Sequence, residues 1–117
     1  AERLVVLSKG KVVADGAPRA LYDAPPTLGV ATLLGELSAL PGGDDGSWIR
    51  PERLRPADDG EEVRVQGVAH VAGGVELTGV DRSGRPILLH LNAPPALNGD
   101  RLRVGWSPGD VLRLGTD

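Results

Sequence analysis

The chain has 117 residues with a formal net charge of −3, and hydrophobic residues make up 40% of it, enough for one small domain or one domain plus a fragment of another. Phe and Met are absent, so the core must be built mainly from aliphatic side chains. The acidic balance disfavours a nucleic acid as partner. The absence of Cys excludes disulfides and thiolate metal sites and fits a reducing compartment. No apolar stretch approaches the ~20 residues that span a bilayer.

The first elements are two apolar runs, which predict strands at 4–7 and 11–14 joined by a tight turn. Gly10 supplies the positive φ that such a turn needs. Because nearly every residue of both runs is apolar, we expect both faces of this hairpin to be buried.

Two short helices are predicted next. The first spans 18–23 and begins with Pro18, whose missing N–H costs nothing in a first helical turn. The second spans 28–34, with Thr27 as its N-cap and Gly35 as the residue that ends it.

The rest of the chain has no helical period but has short apolar or alternating runs separated by turns, which is typical of a small barrel. Strands are predicted at 37–40, 47–50, 63–71, 75–78, 87–92, 102–106 and 111–114. Residues 53–60 are polar and predicted to be irregular, and Pro108 and Gly109 predict a type II turn. The predicted fold is mainly β: an OB-like barrel of five or six strands, preceded by a β-hairpin and two short helices.

Few residues are candidates for chemistry. His70 and His90 fit either a metal or oxyanion site or two surface histidines, and the second interpretation is favoured because spacing places no third ligand. Solvated turns are likewise favoured over a calcium site at three acidic pairs, Asp44–Asp45, Asp58–Asp59 and Glu61–Glu62.

Arg50 and Glu52 flank Pro51 and fit either an ion-pair contact between domains or a strand end with solvated charges; both interpretations stay open. Trp48 and Trp106 fit a stacking platform, but core filling is favoured in a chain without Phe.

A phosphate-binding loop of the form Gly-x-x-x-x-Gly-Lys-Ser/Thr does not occur in the sequence. Its backbone N–H groups and Lys are what hold nucleotide phosphates. We therefore expect the chain alone neither to bind nor to hydrolyse ATP, and we predict no catalytic residue, cofactor or metal site in it.

The order of motifs resembles the C-terminal part of the ATP-binding subunit of an ABC importer. The stretch "LVVLSKGKVVADGAPRALYDAPPTLGVATLLG" is similar to the end of that family's nucleotide-binding domain, and "IRPE" at 49–52 to the entry of its transport-associated, OB-type regulatory domain. The closing "NGDRLRVGWSPGDVLRL" is similar to the last strands of that domain. The matching residues of the first stretch are Gly10, Gly16, Pro18, Leu21, Tyr22, Pro25 and Gly35.

The resemblance implies that 1–35 are the tail of a nucleotide-binding domain and 36–117 a regulatory domain of the TOBE type. It implies a homodimer whose parent subunit binds ATP and Mg²⁺, acts as an ATPase and docks on a transmembrane permease at the cytoplasmic face of the inner membrane. A small molecule or a protein is the implied regulator. Ferric iron, small anions, polyamines and sugars are the implied substrate classes. "GELSALPG" at 35–42 is similar to the ferric and small-anion subsets, except that Ser38 stands where they have Asn.

The alternative is a stand-alone OB module that binds an oxyanion such as molybdate or another small ligand. Such a module needs a pocket rich in Ser, Thr or backbone N–H groups, and no cluster of that kind is visible in the sequence.

Overall fold

The computed structural model describes residues 2–115. Strand residues (47%) outnumber helical ones (17%), so the fold is mainly β. The strands are β1 (Leu4–Ser8), β2 (Lys11–Gly16), β3 (Ser38–Ala39), β4 (Ser47–Ile49), β5 (Arg55–Val71), β6 (Gly74–Val80), β7 (Pro86–Leu91), β8 (Arg101–Gly105) and β9 (Leu112–Arg113). The helices are α1 (Pro18–Asp23) and α2 (Leu28–Leu34), and short 3₁₀ turns lie at Pro51–Arg53 and Pro108–Asp110.

The β1–β2 hairpin forms as predicted, with Lys9 and Gly10 at φ of 52° and 76° in its turn. In this chain, only one of the two faces that were expected to be buried is covered. One face packs on the helices, where Val6 and Ala14 contact a small cluster that includes Leu21 and Val30. The other face is exposed, since two short helices cover only one side of a hairpin. The exposed apolar residues of the hairpin are Val5, Leu7, Val12 and Val13. We call these four residues the open hairpin face.

Both helices have the predicted bounds. The Thr27 hydroxyl accepts a hydrogen bond of 3.2 Å from the N–H of Val30, which confirms the predicted N-cap. The N–H of Leu28 donates to the carbonyl of Gly115 at 3.1 Å, so the end of the described chain satisfies another free N–H of this helix.

The remaining strands form two antiparallel sheets, one in the order β7–β6–β5–β8 and one in the order β3–β4–β9. Aliphatic side chains from both sheets meet in one core, and Ile49, Val63, Leu77 and Leu89 are fully buried in it. The larger sheet curls into a half-barrel consistent with an OB-like fold, which confirms the predicted fold class.

Close backbone approach helps this sheet to curl. The pairing of β5 with β6 shifts register between Val65 and Gly67. A Cβ on Gly79 of the partner strand would lie 2.1 Å from the carbonyl oxygen of Arg64, which no side chain tolerates. A bulge opposite a glycine bends and twists a strand, so the half-barrel bends here.

Two local predictions are wrong. Strand β5 already begins at Arg55, inside the segment predicted to be irregular, because Arg55 and Pro56 pair with β8 before residues 57–60 bulge outward. The predicted type II turn is a 3₁₀ turn, Pro108–Asp110, in which Gly109 does not take the required positive φ.

Candidate functional site

Arg50 is the most deeply buried charged residue among those the structure describes, with 2% of its surface exposed. It follows β4 and precedes the 3₁₀ turn that begins at Pro51. Since Pro51 has no N–H and fixes its own φ, the chain turns sharply here. The Arg50 side chain leaves the barrel and reaches the ends of α1 and α2.

The guanidinium group donates hydrogen bonds only to backbone carbonyls. Nη1 donates to Ala31, Gly35 and Glu36 at 3.0, 3.2 and 3.1 Å. Nε and Nη2 both donate to the carbonyl of Tyr22, at 3.3 and 3.2 Å. The last carbonyls of a helix have no partner within the helix and carry the negative end of its dipole. Arg50 therefore caps the C-terminal ends of both helices with one cation.

Tyr22 covers the other side of this cation. The Cζ of Arg50 lies 4.0 Å from the centroid of the Tyr22 ring, within cation–π range. The Tyr22 hydroxyl donates a hydrogen bond to the Glu52 carboxylate. Burial, and secondly this carboxylate, raise the pKa of Tyr22 to about 12. Burial lowers the pKa of Arg50, but a guanidinium starts so high that it remains charged at neutral pH.

Gly35 leaves the space in which these groups meet. A Cβ at this position would lie 2.9 Å from Cε1 of Tyr22 and 3.5 Å from Nη1 of Arg50. Its φ of 168° is extended backbone that any residue adopts. Gly35 ends α2 as predicted, but it is required for space and not for φ.

A second arginine extends the contact between the helices and the barrel. Arg53 Nη2 lies 3.0 Å from Asp23 Oδ1 on α1, and its Nη1 lies 2.8 Å from Asp110 Oδ1 near the chain end. The hydrogen bond to Asp110, and then its charge, raise the pKa of Arg53. We call the set Tyr22, Asp23, Arg50, Glu52 and Arg53 the Arg50 cluster.

The structure thus brings both predicted site residues, Arg50 and Glu52, onto Tyr22. Whether this is a contact between two domains depends on a boundary at residue 35, so the interdomain contact stays a prediction. Sequence reasoning assigned no role to Asp23 or Arg53. Their spacing of 30 residues carries no signal that they pair.

The other candidates lie elsewhere. Trp48 and Trp106 are partly buried and pack against the barrel core, as core-filling residues do. His70 is exposed near the end of β5. His90 lies on β7 and is close to two glutamates.

The chain consists of a hairpin and two helices followed by an OB-like half-barrel, and the Arg50 cluster connects these two parts. The sequence resemblance implied the same order of elements. This chain is similar to the ATP-binding subunits of ABC importers and resembles their C-terminal part. No family model matches the chain.

The similarity to ABC importer subunits is seen in individual relatives. The chain is 28% identical to the spermidine/putrescine import ATP-binding protein PotA of Bacillus thuringiensis over 97% of its own length and 38% of the relative's. It is 28% identical to the sn-glycerol-3-phosphate import ATP-binding protein UgpC of Brucella abortus over 100% of its own length and 41% of the relative's. The chain thus spans about two fifths of the length of the curated relatives that it matches.

Among the described residues, neither helix has the length and apolar character needed to cross a membrane.

Proposed function

We propose that this chain is the regulatory and dimer-contact part of the ATP-binding subunit of an ABC importer. The observation that supports it best is the Arg50 cluster, which holds the half-barrel against both helices through hydrogen bonds to four carbonyls. A movement of the helices is thereby passed to the barrel. In this proposal, ATP and Mg²⁺ are bound and ATP is hydrolysed by other residues of the parent subunit.

The two hydrophobic clusters support a division into two parts. One cluster is confined to the hairpin and helices, and the other to the barrel. In the proposal, 1–35 are the tail of the nucleotide-binding domain and 36–117 are the TOBE-type regulatory domain. The open hairpin face packs on the body of the nucleotide-binding domain, because four exposed apolar side chains on one hairpin indicate a covered surface.

The barrel packs against its copy in a second subunit and keeps the two ATPase bodies together while they open and close. The assembly docks on a transmembrane permease at the cytoplasmic face of the inner membrane. A small molecule or protein that binds the barrel biases this cycle only if its affinity differs between the open and closed states.

The names of the relatives favour a polyamine or a sugar phosphate as the transported substrate over ferric iron or a small anion. The barrel does not contact that substrate in the proposal. The transported compound is therefore to be identified from the permease and not from this chain.

This chain lacks Cys, so an introduced cysteine is its only thiol; in the complete subunit, any cysteine outside this chain is first replaced by serine. We would place Leu7→Cys on the open hairpin face and, as a control, Ser83→Cys in the exposed β6–β7 turn. Each is labelled with a maleimide in this chain alone and in the complete subunit. Leu7→Cys should react in the chain alone and be protected at least tenfold in the complete subunit, whereas Ser83→Cys should react equally in both.

Equal labelling of Leu7→Cys in both proteins would contradict the proposal. Sedimentation of the complete subunit, expected to be dimeric, tests the dimer contact separately. A micromolar response of Trp fluorescence to molybdate, tungstate or sulfate would instead favour the stand-alone oxyanion module.

A further inference from the structure

Three side chains with metal-binding atoms converge outside the Arg50 cluster. Glu76 on β6 and His90 on β7 are directly opposite each other in the antiparallel sheet. Glu36 approaches them from the segment that follows α2. One carboxylate oxygen from each glutamate and one imidazole nitrogen all lie within 4.8 Å of one another.

The distances in this group fit a bound metal ion. The Nε2 of His90 lies 3.4 Å from Glu76 Oε2 and 3.5 Å from Glu36 Oε1. Ligands at ~2.0 Å from a tetrahedral Zn²⁺ are separated from one another by about 3.3 Å. Both glutamate oxygens are therefore at nearly the distance from His90 Nε2 that two ligands of such an ion have, and the two oxygens lie within 4.8 Å of each other.

The imidazole nitrogen has no other partner. The Nε2 of His90 is buried and makes no hydrogen bond to any residue in the part of the chain that the structure describes. A buried polar atom without a partner costs about 1–3 kcal/mol and calls for a water or ion that satisfies it. Both neighbouring acceptors are carboxylates, a ligand type that a divalent cation takes together with imidazole.

The main chain of the third ligand, Glu36, is already held in place. The carbonyl of Glu36 accepts a hydrogen bond of 3.1 Å from Arg50 Nη1. The other two ligands are fixed by the pairing of β6 with β7. Binding therefore requires only that three side chains settle on the ion, since their main-chain positions are already set.

We propose that Glu36, Glu76 and His90 form a Zn²⁺ site whose fourth ligand is water. Zn²⁺ fits because an imidazole with carboxylates suits it, whereas Mg²⁺ and Ca²⁺ prefer all-oxygen sites. The ion joins the segment after α2 to the outer face of the sheet and so adds a further link between the helices and the barrel. This inference does not depend on the proposed transport function.

The test is calorimetric titration of Zn²⁺ into chelator-treated, tag-free protein. We expect one Zn²⁺ per chain with a micromolar dissociation constant, and a rise in melting temperature with added Zn²⁺. His90→Gln should weaken binding at least 30-fold, and Glu76→Gln about tenfold. His70→Gln is the matched control, because His70 is the only other histidine and is exposed; it should bind as the unaltered protein does.

Two further readouts identify the ligands. Co²⁺ in place of Zn²⁺ should give the intense visible absorption of a tetrahedral ion, and this absorption should be lost in His90→Gln. The imidazole ¹⁵N signals of His90, but not those of His70, should shift on Zn²⁺ binding. All variants change half-buried or exposed side chains, and their circular dichroism should match that of the unaltered protein.

The absence of binding at millimolar Zn²⁺ would overturn the proposal. Unchanged affinity in His90→Gln, or an equal loss in His70→Gln, would also overturn it. The proposal would fall likewise if the ¹⁵N signals of His90 did not shift with Zn²⁺.

Discussion

The guanidinium of Arg50 stacks on the ring of Tyr22 while it donates to the carbonyl of the same residue. One residue of α1 thus holds this cation both by its ring and by its backbone. The arrangement explains how a charged side chain is buried without an acidic partner in direct hydrogen-bonding contact. Five donor–acceptor contacts replace the lost hydration, which a single carboxylate would not do.

Arg50→Ala should lower the free energy of unfolding by about 3 kcal/mol, because it leaves helix-end carbonyls buried without donors. Arg50→Lys should recover part of this loss, since one ammonium group does not reach carbonyls spread over two helices. Arg19→Ala is the control: Arg19 is exposed and pairs only with Asp23, so its loss should cost less than about 0.5 kcal/mol. Urea unfolding measures all three, and an Arg50→Ala value as small as the control would refute the capping role.

Gly35→Ala should destabilise the protein by about 1–3 kcal/mol, because the added methyl group displaces the Tyr22 ring from Arg50. Gly109→Ala is a matched control with no atom within 4 Å of the new Cβ and no positive φ. It should be close to neutral. Thermal melts compare the two variants. Equal melting temperatures would mean that the end of α2 accommodates a methyl group at position 35 without displacing Tyr22.

Alkaline pH should weaken the fold through Tyr22. Its pKa is raised in the folded protein from 10.0 to about 12, so the folded state keeps a proton that the unfolded chain loses. The resulting stability is fully present below pH 10 and is lost as the pH rises toward 12. Tyr22 is the only tyrosine in the chain, so tyrosinate absorbance reports its titration alone.

The same titration tests the Glu52 contact. Glu52→Gln should lower the pKa of Tyr22, because a neutral amide no longer opposes the tyrosinate charge. A midpoint near pH 10 in the unaltered protein would show that Tyr22 is neither buried nor bonded to Glu52.

The two faces of the hairpin should respond differently to substitution. Val6→Ala removes buried methyl groups and should cost about 2 kcal/mol. Leu7→Ser changes a side chain that is 65% exposed and should alter the stability of this chain by less than about 0.5 kcal/mol. In the complete subunit, however, Leu7→Ser should be destabilising if the open hairpin face is covered there. Denaturant unfolding of both proteins makes the comparison.

Local signals in the sequence predicted the helices and the general architecture. Pro18 and Thr27 mark the starts of α1 and α2, and alternation of apolar residues marks the strands of the half-barrel. These features depend on residues within one turn or strand, and a single sequence contains them in full.

The features that were missed depend on pairs distant in sequence. Strand β5 begins early because it pairs with β8, about 50 residues further on, and that pairing overrides the polarity of its first residues. Arg53 meets Asp110 across 57 residues, and Glu36 meets His90 through the fold of the barrel. The IRPE motif draws attention to Arg50. Its four partners are backbone carbonyls, which every residue has, so the sequence does not predict which residues Arg50 contacts.

Because every acceptor that Arg50 uses is a peptide oxygen, its hydrogen bonds depend on the positions of the helix ends and not on the side-chain identity of the acceptor residues. Tyr22 and Gly35 are constrained for other reasons, by the stacking on Arg50 and by lack of space. The contact between the helices and the barrel therefore requires a basic residue at position 50 and the space that Gly35 leaves for it.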